Sequence, residues 1–362
     1  MKKSFYLVIL FLLILFSGCG EKLDLSVFQD DKQGSNITGD TVYIKLTPDW
    51  EGFNQPEDIL VGKDIFIYVA DKGNDRVVML NLNGDVLGNL PFKQPVELAQ
   101  DYRLNLLVCA KFDTLVNNVP VSVSAVYKVN MTGANHNIAS ASVTRLLPKP
   151  GAGITEMDRR IEYTGLAVFY NNSFYVSRRG PNNGSFVDPD NSILIFLPKE
   201  SPAGERIDTL IGRVPLLEPT GTGILSANRI SSLTAFNARN IDFIMTLQGE
   251  NAFKTQVLTY VISQQGEQYE IKIRPGSGEE LMKAGKFLMP EDVTLDRSGN
   301  IYVADSQKDS IYVFNSFGDE LNSFGGLSFF REPSAVAHFD RTLYVADRQL
   351  NKIFRFTLST EL

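Results

Sequence analysis

The segment IYVADSQKDSIYVF, residues 301–314, places two strand-like runs on either side of a short polar stretch. Its tetrapeptide Tyr-Val-Ala-Asp occurs three times in the chain, ending at Asp71, Asp305 and Asp347. In every copy a new apolar run begins six residues after the aspartate. Short β-rich runs separated by turn residues predict a strand, a turn and a strand, repeated along the chain.

A longer repeat surrounds this motif. Each copy opens fourteen or fifteen residues upstream of the aspartate, at Pro56, Pro290 and Pro333. Weaker copies fill the middle of the chain and carry Ala110, Arg178 and either Met245 or Thr246 at the aspartate position. Self-similarity at a period of about 40 residues indicates a solenoid, an array or a propeller. Four short strands per repeat, without helical periodicity, favour a propeller blade.

The repeat pattern, in which a proline-led segment precedes IYVAD and a further strand follows at fixed spacing, resembles the NHL repeat. This resemblance implies an all-β, six-bladed β-propeller with four-stranded antiparallel blades. The middle copies lie further apart than the others, but the extra length is too small for a seventh blade. We therefore expect six blades, three of which carry insertions.

A strand-like segment that belongs to no repeat, Val42–Leu46, precedes the first copy. The last copy has only three strand-like runs, the third at Lys352–Leu358. We predict that Val42–Leu46 completes the last blade as its outer strand, which would close the ring and leave no open blade interface.

The chain begins with two lysines, an apolar run at 5–16 and two small residues, as secretory signal peptides do. The sequence LFSGC, ending at Cys19, resembles a bacterial lipobox, which implies that Cys19 is lipidated. We expect a signal peptide at 1–18, a flexible tether at 19–40 and the propeller at 41–362. Similar lipoproteins are described mainly from Bacteroidetes-like bacteria, which implies the cell envelope. Gly20 stands after the cysteine in place of the Asp that retains some lipoproteins at the inner membrane, so we expect the outer membrane more than the inner. The alternative is a plain secretory signal.

Charge and cysteine content narrow the range of partners. The formal net charge is −7 at pH 7, so the surface repels phosphate backbones and we expect no nucleic acid partner. Cys109 is the only cysteine besides Cys19, and it lies in the apolar run LLVCA. We expect a buried thiol there, no internal disulfide and a monomeric domain.

The recurring aspartates Asp71, Asp305 and Asp347 stand where a strand ends and a tight loop begins. A carboxylate in that place accepts backbone N–H bonds, as Asp and Asn do in turns. A catalytic site needs several different groups that converge once, which repetition does not supply. We therefore interpret these residues as scaffold.

Insertions point to a binding face. The loops predicted to be enlarged between second and third strands lie at Phe112–Ser124, Arg179–Asn191 and Gln248–Thr255. Propeller topology places them on the same face as the connections between blades, which are also long at 131–162, 199–228 and 263–289. The sequence therefore predicts ligand or partner binding on this face of blades 2–4.

The loop RRGPNNGSFVDPDN, residues 178–191, supplies candidate ligand-binding residues. Arg178 and Arg179 are suited to hold a carboxylate, sulfate or phosphate by forked hydrogen bonds. Asp188 and Asp190 offer oxygen ligands of the kind that Ca²⁺ prefers. The alternative is a polar surface loop with an Asp-Pro turn.

The position two residues after the start of each repeat carries Asp58, Glu97 and Asp292 in three blades. These carboxylates could meet at the channel and bind a divalent cation such as Ca²⁺, or each could cap its own loop. The fold is similar to that of lactonase-type propellers, which bind a metal through Glu, Asn and Asp. That similarity implies an alternative function, a metal-dependent hydrolase or lyase at the channel mouth. No other cofactor is expected.

Catalytic sets are hard to assemble from this sequence. Its two histidines, His136 and His338, fall in different blades, and no Ser-His-Asp or Cys-His set is evident. We favour a binding or scaffold module over an enzyme. Its expected contacts are the membrane through the lipid, and an envelope protein, a carbohydrate or a small ligand.

Overall fold

The computed structural model describes residues 42–202, 204–236, 238–264, 266–272 and 280–361. The predicted signal peptide, Cys19 and the tether lie outside the described residues. Within them, no helix is both long and apolar enough to cross a membrane.

The described residues form six separate four-stranded antiparallel sheets, and the innermost strands of neighbouring sheets contact one another in cyclic order. Blade 1 contains β2 Pro56–Val61, β3 Ile67–Asp71, β4 Arg76–Leu80 and β5 Val86–Pro91. Blade 2 contains β6 Lys93–Gln100, β7 Leu106–Val116, β8 Val119–Asn130 and β9 Ser142–Leu147. Blade 3 contains β10 Glu162–Val168, β11 Phe174–Arg179, β12 Ser192–Glu200 and β13 Arg206–Arg213.

Blade 4 contains β14 Ile230–Ala235, β15 Phe243–Leu247, β16 Thr255–Ser263 and β17 Gly266–Ile271. Blade 5 contains β18 Pro290–Leu295, β19 Ile301–Asp305, β20 Ser310–Phe314 and β21 Glu320–Gly325. Blade 6 contains β22 Pro333–Phe339, β23 Thr342–Asp347, β24 Lys352–Leu358 and β1 Tyr43–Trp50. One short α-helix, α1, spans Glu156–Arg160. Single 3-10 turns lie at Lys72–Asn74, Thr132–Ala134, Ile138–Ser140, Ser306–Lys308 and Ser359–Glu361. The predicted six-bladed β-propeller is confirmed.

The amino-terminal strand closes the ring as predicted. β1 pairs antiparallel with β24, from Tyr43 opposite Leu358 to Trp50 opposite Ile353. The strand runs four residues further than the predicted Val42–Leu46 segment. Its last residue, Trp50, is buried in the core and contacts the ring of Tyr344. The edge of β24 is therefore covered by the other end of the same domain.

The core lies between blades rather than in one central mass. Every residue of β3, β15 and β19 is buried. Both faces of these second strands pack against neighbouring sheets, which explains why they read as nearly continuous apolar runs instead of alternating ones. Cys109, on the equivalent strand β7, is fully buried, and burial raises the pKa of its thiol.

The recurring aspartates anchor backbone, and all three are fully buried. Asp71 accepts the N–H of Asn54 at 2.7 Å, from the chain that leads into its own blade. Equivalent bonds run from Leu288 and Met289 to Asp305, and from Arg331 and Glu332 to Asp347. The tight loop that follows also donates N–H bonds, from Lys308 to Asp305 and from Leu350 to Asp347. Each carboxylate thus joins the incoming connection to the loop after its strand.

Two details differ from the sequence-based expectations. Residues 112–124 are not an enlarged loop, because β7 and β8 continue as a paired hairpin as far as Val116 opposite Val119. Its two-residue turn, Asn117-Asn118, has positive φ at both positions, as a type I′ hairpin turn requires. In blade 4, Leu247 occupies the aspartate position instead of Met245 or Thr246. It pairs with Ile230 as Asp71 pairs with Pro56. The loops at Gly180–Asn191 and Gln248–Lys254 are confirmed.

Candidate functional site

The innermost strands surround a central channel whose narrow part carries Asp58, Glu97 and Asp292. All three side chains are buried. Glu97 and Asp292 border a cavity on each side, of about 410 Å³ toward the loop-rich face and about 190 Å³ toward the opposite face. The carboxylates therefore lie between two open ends of the channel.

These carboxylates bind the backbone of the next blade. Asp58 accepts the N–H of Leu98 at 2.6 Å, and Asp292 accepts the N–H of Val336 at 2.8 Å. Glu97 accepts the N–H of Leu166 in the same way at 3.2 Å. Because the six sheets share no ladder hydrogen bonds, inner-strand amides that face a neighbouring blade need a side-chain acceptor.

The other three blade junctions use hydroxyl groups. Thr164 donates to the carbonyl of Ile230, Ser231 to that of Pro290 and Ser334 to that of Pro56, each at 2.7 Å. Every junction of the ring thus contains at least one hydrogen bond between a side chain and the backbone of the following blade. In blade 3 the carboxylate position is occupied by Gly165. A larger side chain does not fit there, since its Cβ would lie 3.0 Å from the amide nitrogen of Leu233.

This arrangement bears on the predicted metal site at Asp58, Glu97 and Asp292. The carboxylates do lie around one channel, as predicted, but amide and hydroxyl donors bind both oxygens of Asp58 and Asp292 and one oxygen of Glu97. Among the described residues, no group of three or more His, Cys, Asp or Glu side chains is arranged to hold a metal ion.

Burial changes the acidity of the channel carboxyls. It raises the pKa of Asp58 well above its ordinary value, and the nearby charge of Asp292 adds to the increase. The pKa of Glu97 is also raised well above normal, by burial and then by the charges of Asp58 and Asp292. Burial raises the pKa of Asp292 to about 6, against the opposing effect of its hydrogen bonds from Val336 and Ser232. The channel therefore takes up protons at mildly acidic pH.

The cavity of about 410 Å³ at the loop-rich face is the candidate binding site. We call it the mouth cavity. It is lined by the residue that directly follows the aspartate position in each of the six blades: Lys72, Lys111, Arg179, Gln248, Ser306 and Arg348. The apolar residues in its wall are Val96, Ala110 and Met289. The lining is therefore mostly polar and contains both signs of charge.

Eight of these wall residues form a continuous chain of contacts, the mouth arc, which runs in the order Lys72, Glu57, Arg348, Glu291, Gln248, Arg179, Glu162 and Lys111. Its first half is centred on Arg348. The guanidinium lies 2.9 Å from Glu57 and 2.9 Å from Glu291, and Lys72 lies 3.2 Å from Glu57. One arginine thus holds two carboxylates from different blades.

The second half of the mouth arc is centred on Arg179. Gln248 donates to Glu291 at 2.5 Å and accepts from Arg179 at 2.9 Å. Arg179 also binds Glu162 at 3.0 Å, and Lys111 lies 3.6 Å from the other oxygen of Glu162. The chain of contacts is open only between Lys111 and Lys72, at the junction of blades 1 and 2.

Charge pairing sets the ionisation of the arc. Burial alone would raise the pKa of Glu162, but Arg179 and Lys111 lower it below the ordinary value. Burial raises the pKa of Glu291, although Arg348 opposes the change. The pKa of Arg348 is raised in spite of burial, because Glu57, Glu291 and Glu332 surround it. Arg348 is therefore a fixed positive charge at the mouth.

The structure separates the four ligand-binding candidates of the 178–191 loop. Arg179 lines the mouth cavity, whereas the adjacent Arg178 points away from it, as consecutive strand residues must. They cannot form the paired anion fork that the sequence suggested. Asp190 is fully buried and accepts two bonds from Arg160, at 2.8 and 2.9 Å. Asp188 pairs with Arg178.

Most of the mouth arc was missed by the sequence interpretation, which singled out only Arg179. A signal was present, because the column after the aspartate position is polar in all six copies once blade 4 is aligned on Leu247. Glu57 and Glu291 stand one residue before the channel carboxylates Asp58 and Asp292 and were overlooked in favour of them.

The raised pKa of Asp292 predicts a pH effect on stability. The folded protein keeps a proton there that the unfolded chain loses near pH 4, so the free energy of unfolding falls as pH rises from about 4. The loss is complete above the folded pKa of about 6. Asp292→Asn lacks this loss, so its free energy of unfolding relative to wild type should improve by about 3 kcal/mol across that interval.

Urea unfolding at a series of pH values measures this difference. The control is Asp85→Asn on an exposed turn, which should run parallel to wild type. An Asp292→Asn variant that also runs parallel to wild type would contradict the assignment.

Comparison with known proteins supports the fold. No protein-family model matches the sequence, and no curated protein matches it significantly. A solved protein of unknown function from Bacteroides thetaiotaomicron is similar in structure, with a TM-score of 0.54 and 13% identity over 88% of this chain and 77% of that one.

A luciferin-regenerating enzyme matches with a TM-score of 0.51 and 11% identity over 88% of this chain and 95% of the other. Virginiamycin B lyase from Staphylococcus aureus matches with a TM-score of 0.45 and 12% identity over 88% and 99% of the two chains. At such low identity the first two likenesses concern the fold alone, and nothing is concluded from the third. The chain is a six-bladed β-propeller, and its function has to be argued from its own site.

Proposed function

We propose that the propeller is a binding module whose site is the mouth cavity, and that its ligand is a small carbohydrate or a similarly polyhydroxylated molecule. The observation that carries this proposal is the mouth arc. It brings carboxylates, guanidinium groups and an amide from five blades around one cavity of about 410 Å³. Cavities of roughly 300–1,000 Å³ are the usual size for small-molecule sites.

The chemistry of the arc suits hydroxyl groups. A hydroxyl donates one hydrogen bond and accepts others, so it can bind a carboxylate and a guanidinium at the same time. The second oxygen of Glu57 is buried and accepts no hydrogen bond from the described residues. An acceptor left in this state costs about 1–3 kcal/mol, which a donor on the ligand would offset.

The arc is also held in place before any ligand arrives. Lys111 lies within β7, Arg179 is the last residue of β11 and Gln248 directly follows β15, and neighbours in the arc fix their side chains. Groups fixed by packing and hydrogen bonding lose little conformational freedom on binding. Val96, Ala110 and Met289 add apolar wall for the carbon skeleton of a sugar.

The alternative of a metal-dependent hydrolase or lyase has less support. It requires the carboxylates of Asp58, Glu97 and Asp292 as ligands, and each of them already accepts, through one oxygen, a hydrogen bond that joins two blades. A metal would have to compete with these bonds at three blade junctions. The mouth arc carries out no such structural task between inner strands, which favours binding over metal chemistry.

Arg179→Ala tests the proposed site. The loss of one charged hydrogen-bond donor should weaken binding about tenfold or more, since such bonds contribute about 1.5–3 kcal/mol. Stability should change by less than about 1 kcal/mol, because the pair with Glu162 is partly exposed. Titration calorimetry with a panel of mono- and disaccharides provides the measurement.

The matched control is Arg206→Ala, which removes an exposed arginine at the start of the outer strand of blade 3. A second variant, Val96→Trp, should fill the mouth cavity and abolish binding. The proposal fails if folded wild-type protein binds none of the sugars, or if binding survives both Arg179→Ala and Val96→Trp.

The proposed module is held at the cell envelope by a lipid on Cys19, because LFSGC follows a secretory signal. Mass spectrometry of the amino-terminal peptide from a bacterial host should detect an acylated cysteine. Cys19→Ala should be unmodified and absent from the membrane fraction. An unmodified cysteine in the wild-type protein would contradict the anchor.

A further inference from the structure

A second cavity of about 470 Å³ lies on the propeller between blades 2 and 3. We call it the side pocket. Its walls combine the outer part of both blades with two inserted segments, the connection at 148–161 and the loop at 180–191. Blades 1, 5 and 6 keep the short forms of these segments. The side pocket is therefore a product of insertions and not a general feature of the repeat.

The wall of the side pocket is largely apolar. It is formed by Leu147, Met157, Ile161, Leu194, Leu210 and Val187. Leu147, Ile161 and Leu194 are buried in the domain, whereas Leu210 is 43% exposed and Val187 is 79% exposed. Apolar side chains left open to water in a concave surface gain free energy when an apolar ligand covers them, about 25 cal/mol per Å².

One buried charge borders this apolar space. Arg178 is only 6% exposed, and its guanidinium donates to Ser192 and to the carbonyl of Pro189, both at 2.8 Å. Among the described residues, its sole carboxylate partner is Asp188, on the inserted loop. The side chain of Asp188 is 52% exposed, so it can turn into water once another carboxylate pairs with Arg178.

A buried guanidinium needs a counter-charge, and that requirement selects the ligand. If Asp188 turns outward, a carboxylate from a ligand can take its place, and the charge of the site stays the same. A cationic ligand could not replace Asp188 in this way. Lys149 and Arg213 add positive charge to the wall, whereas the carboxylate of Asp158, also in the wall, accepts hydrogen bonds from Thr155.

We propose that the side pocket binds an amphipathic monocarboxylic acid, with the carboxylate on Arg178 and the apolar chain against Leu210 and Val187. The inserted loop covers the chain, because its tip carries Phe186, which is 94% exposed, next to Val187. The carbonyl groups of both tip residues accept hydrogen bonds from Arg213, which holds the tip at the pocket rim. This site is separate from the mouth cavity and does not depend on the proposed carbohydrate binding.

Dodecanoate is a suitable probe, used below its micelle concentration in titration calorimetry with the purified full-length chain. Dodecyltrimethylammonium, which has the same chain and the opposite charge, is the matched control ligand. Wild-type protein should bind dodecanoate with saturable one-to-one stoichiometry, and the cationic amphiphile about tenfold more weakly or worse.

Two variants locate the binding. Arg178→Met should remove the preference for the carboxylate and weaken dodecanoate binding about tenfold or more. Because Arg178 is buried and the variant could unfold, Leu210→Trp provides an independent test. It changes a partly exposed wall residue and should block the pocket while sugar binding at the mouth stays unchanged.

The proposal is overturned if folded wild-type protein does not bind dodecanoate, or binds both amphiphiles equally. Dodecanoate binding that Leu210→Trp leaves intact would also overturn it, because the ligand would then lie elsewhere.

Discussion

The structure depends on a small set of side-chain hydrogen bonds between neighbouring blades. Six separate sheets form the ring, so backbone groups on the inner strands have no ladder partner across a blade junction. Three junctions solve this with a carboxylate that accepts an N–H, and three with a hydroxyl that donates to a carbonyl. Which bond a blade uses depends on the size of one side chain. The blades that use a hydroxyl have a small residue, Gly165, Ser232 or Ala335, where the other blades have Asp or Glu.

This use of the channel carboxylates determines where ligands can bind. Asp58, Glu97 and Asp292 look like a metal set in the sequence, yet their hydrogen bonds hold the ring together. Groups without such a task lie one layer outward, in the mouth arc. There Arg348 joins acids from blades 1 and 5, and Arg179 joins Glu162 of its own blade to Gln248 of blade 4. The inserted segments of blades 2 and 3 add a second, apolar site around Arg178.

Local repetition made much of the fold predictable. The YVAD copies and their weaker relatives predict six blades, because the spacing between strands can be read from the sequence. The unassigned segment Val42–Leu46 predicts ring closure, because the last repeat lacks its outer strand. The hairpin at 112–124 was misread as a loop, although Asn117-Asn118 is a turn signal between alternating residues. The mouth arc was largely missed because its pairs, such as Arg348 with Glu57, lie 291 positions apart. A short sequence motif cannot reveal a contact between residues that only the closure of the ring brings together.

Hydrogen exchange at the amides of Leu98 and Val336 tests the central claim most directly, since these groups face the channel and have only a neighbouring carboxylate as partner. Both amides should exchange slowly in the wild-type protein. Asp58→Ala should accelerate exchange at Leu98 and leave Val336 protected, and Asp292→Ala should do the reverse. Fast exchange of both amides in the wild-type protein would show that the channel carboxylates do not hold the blades together.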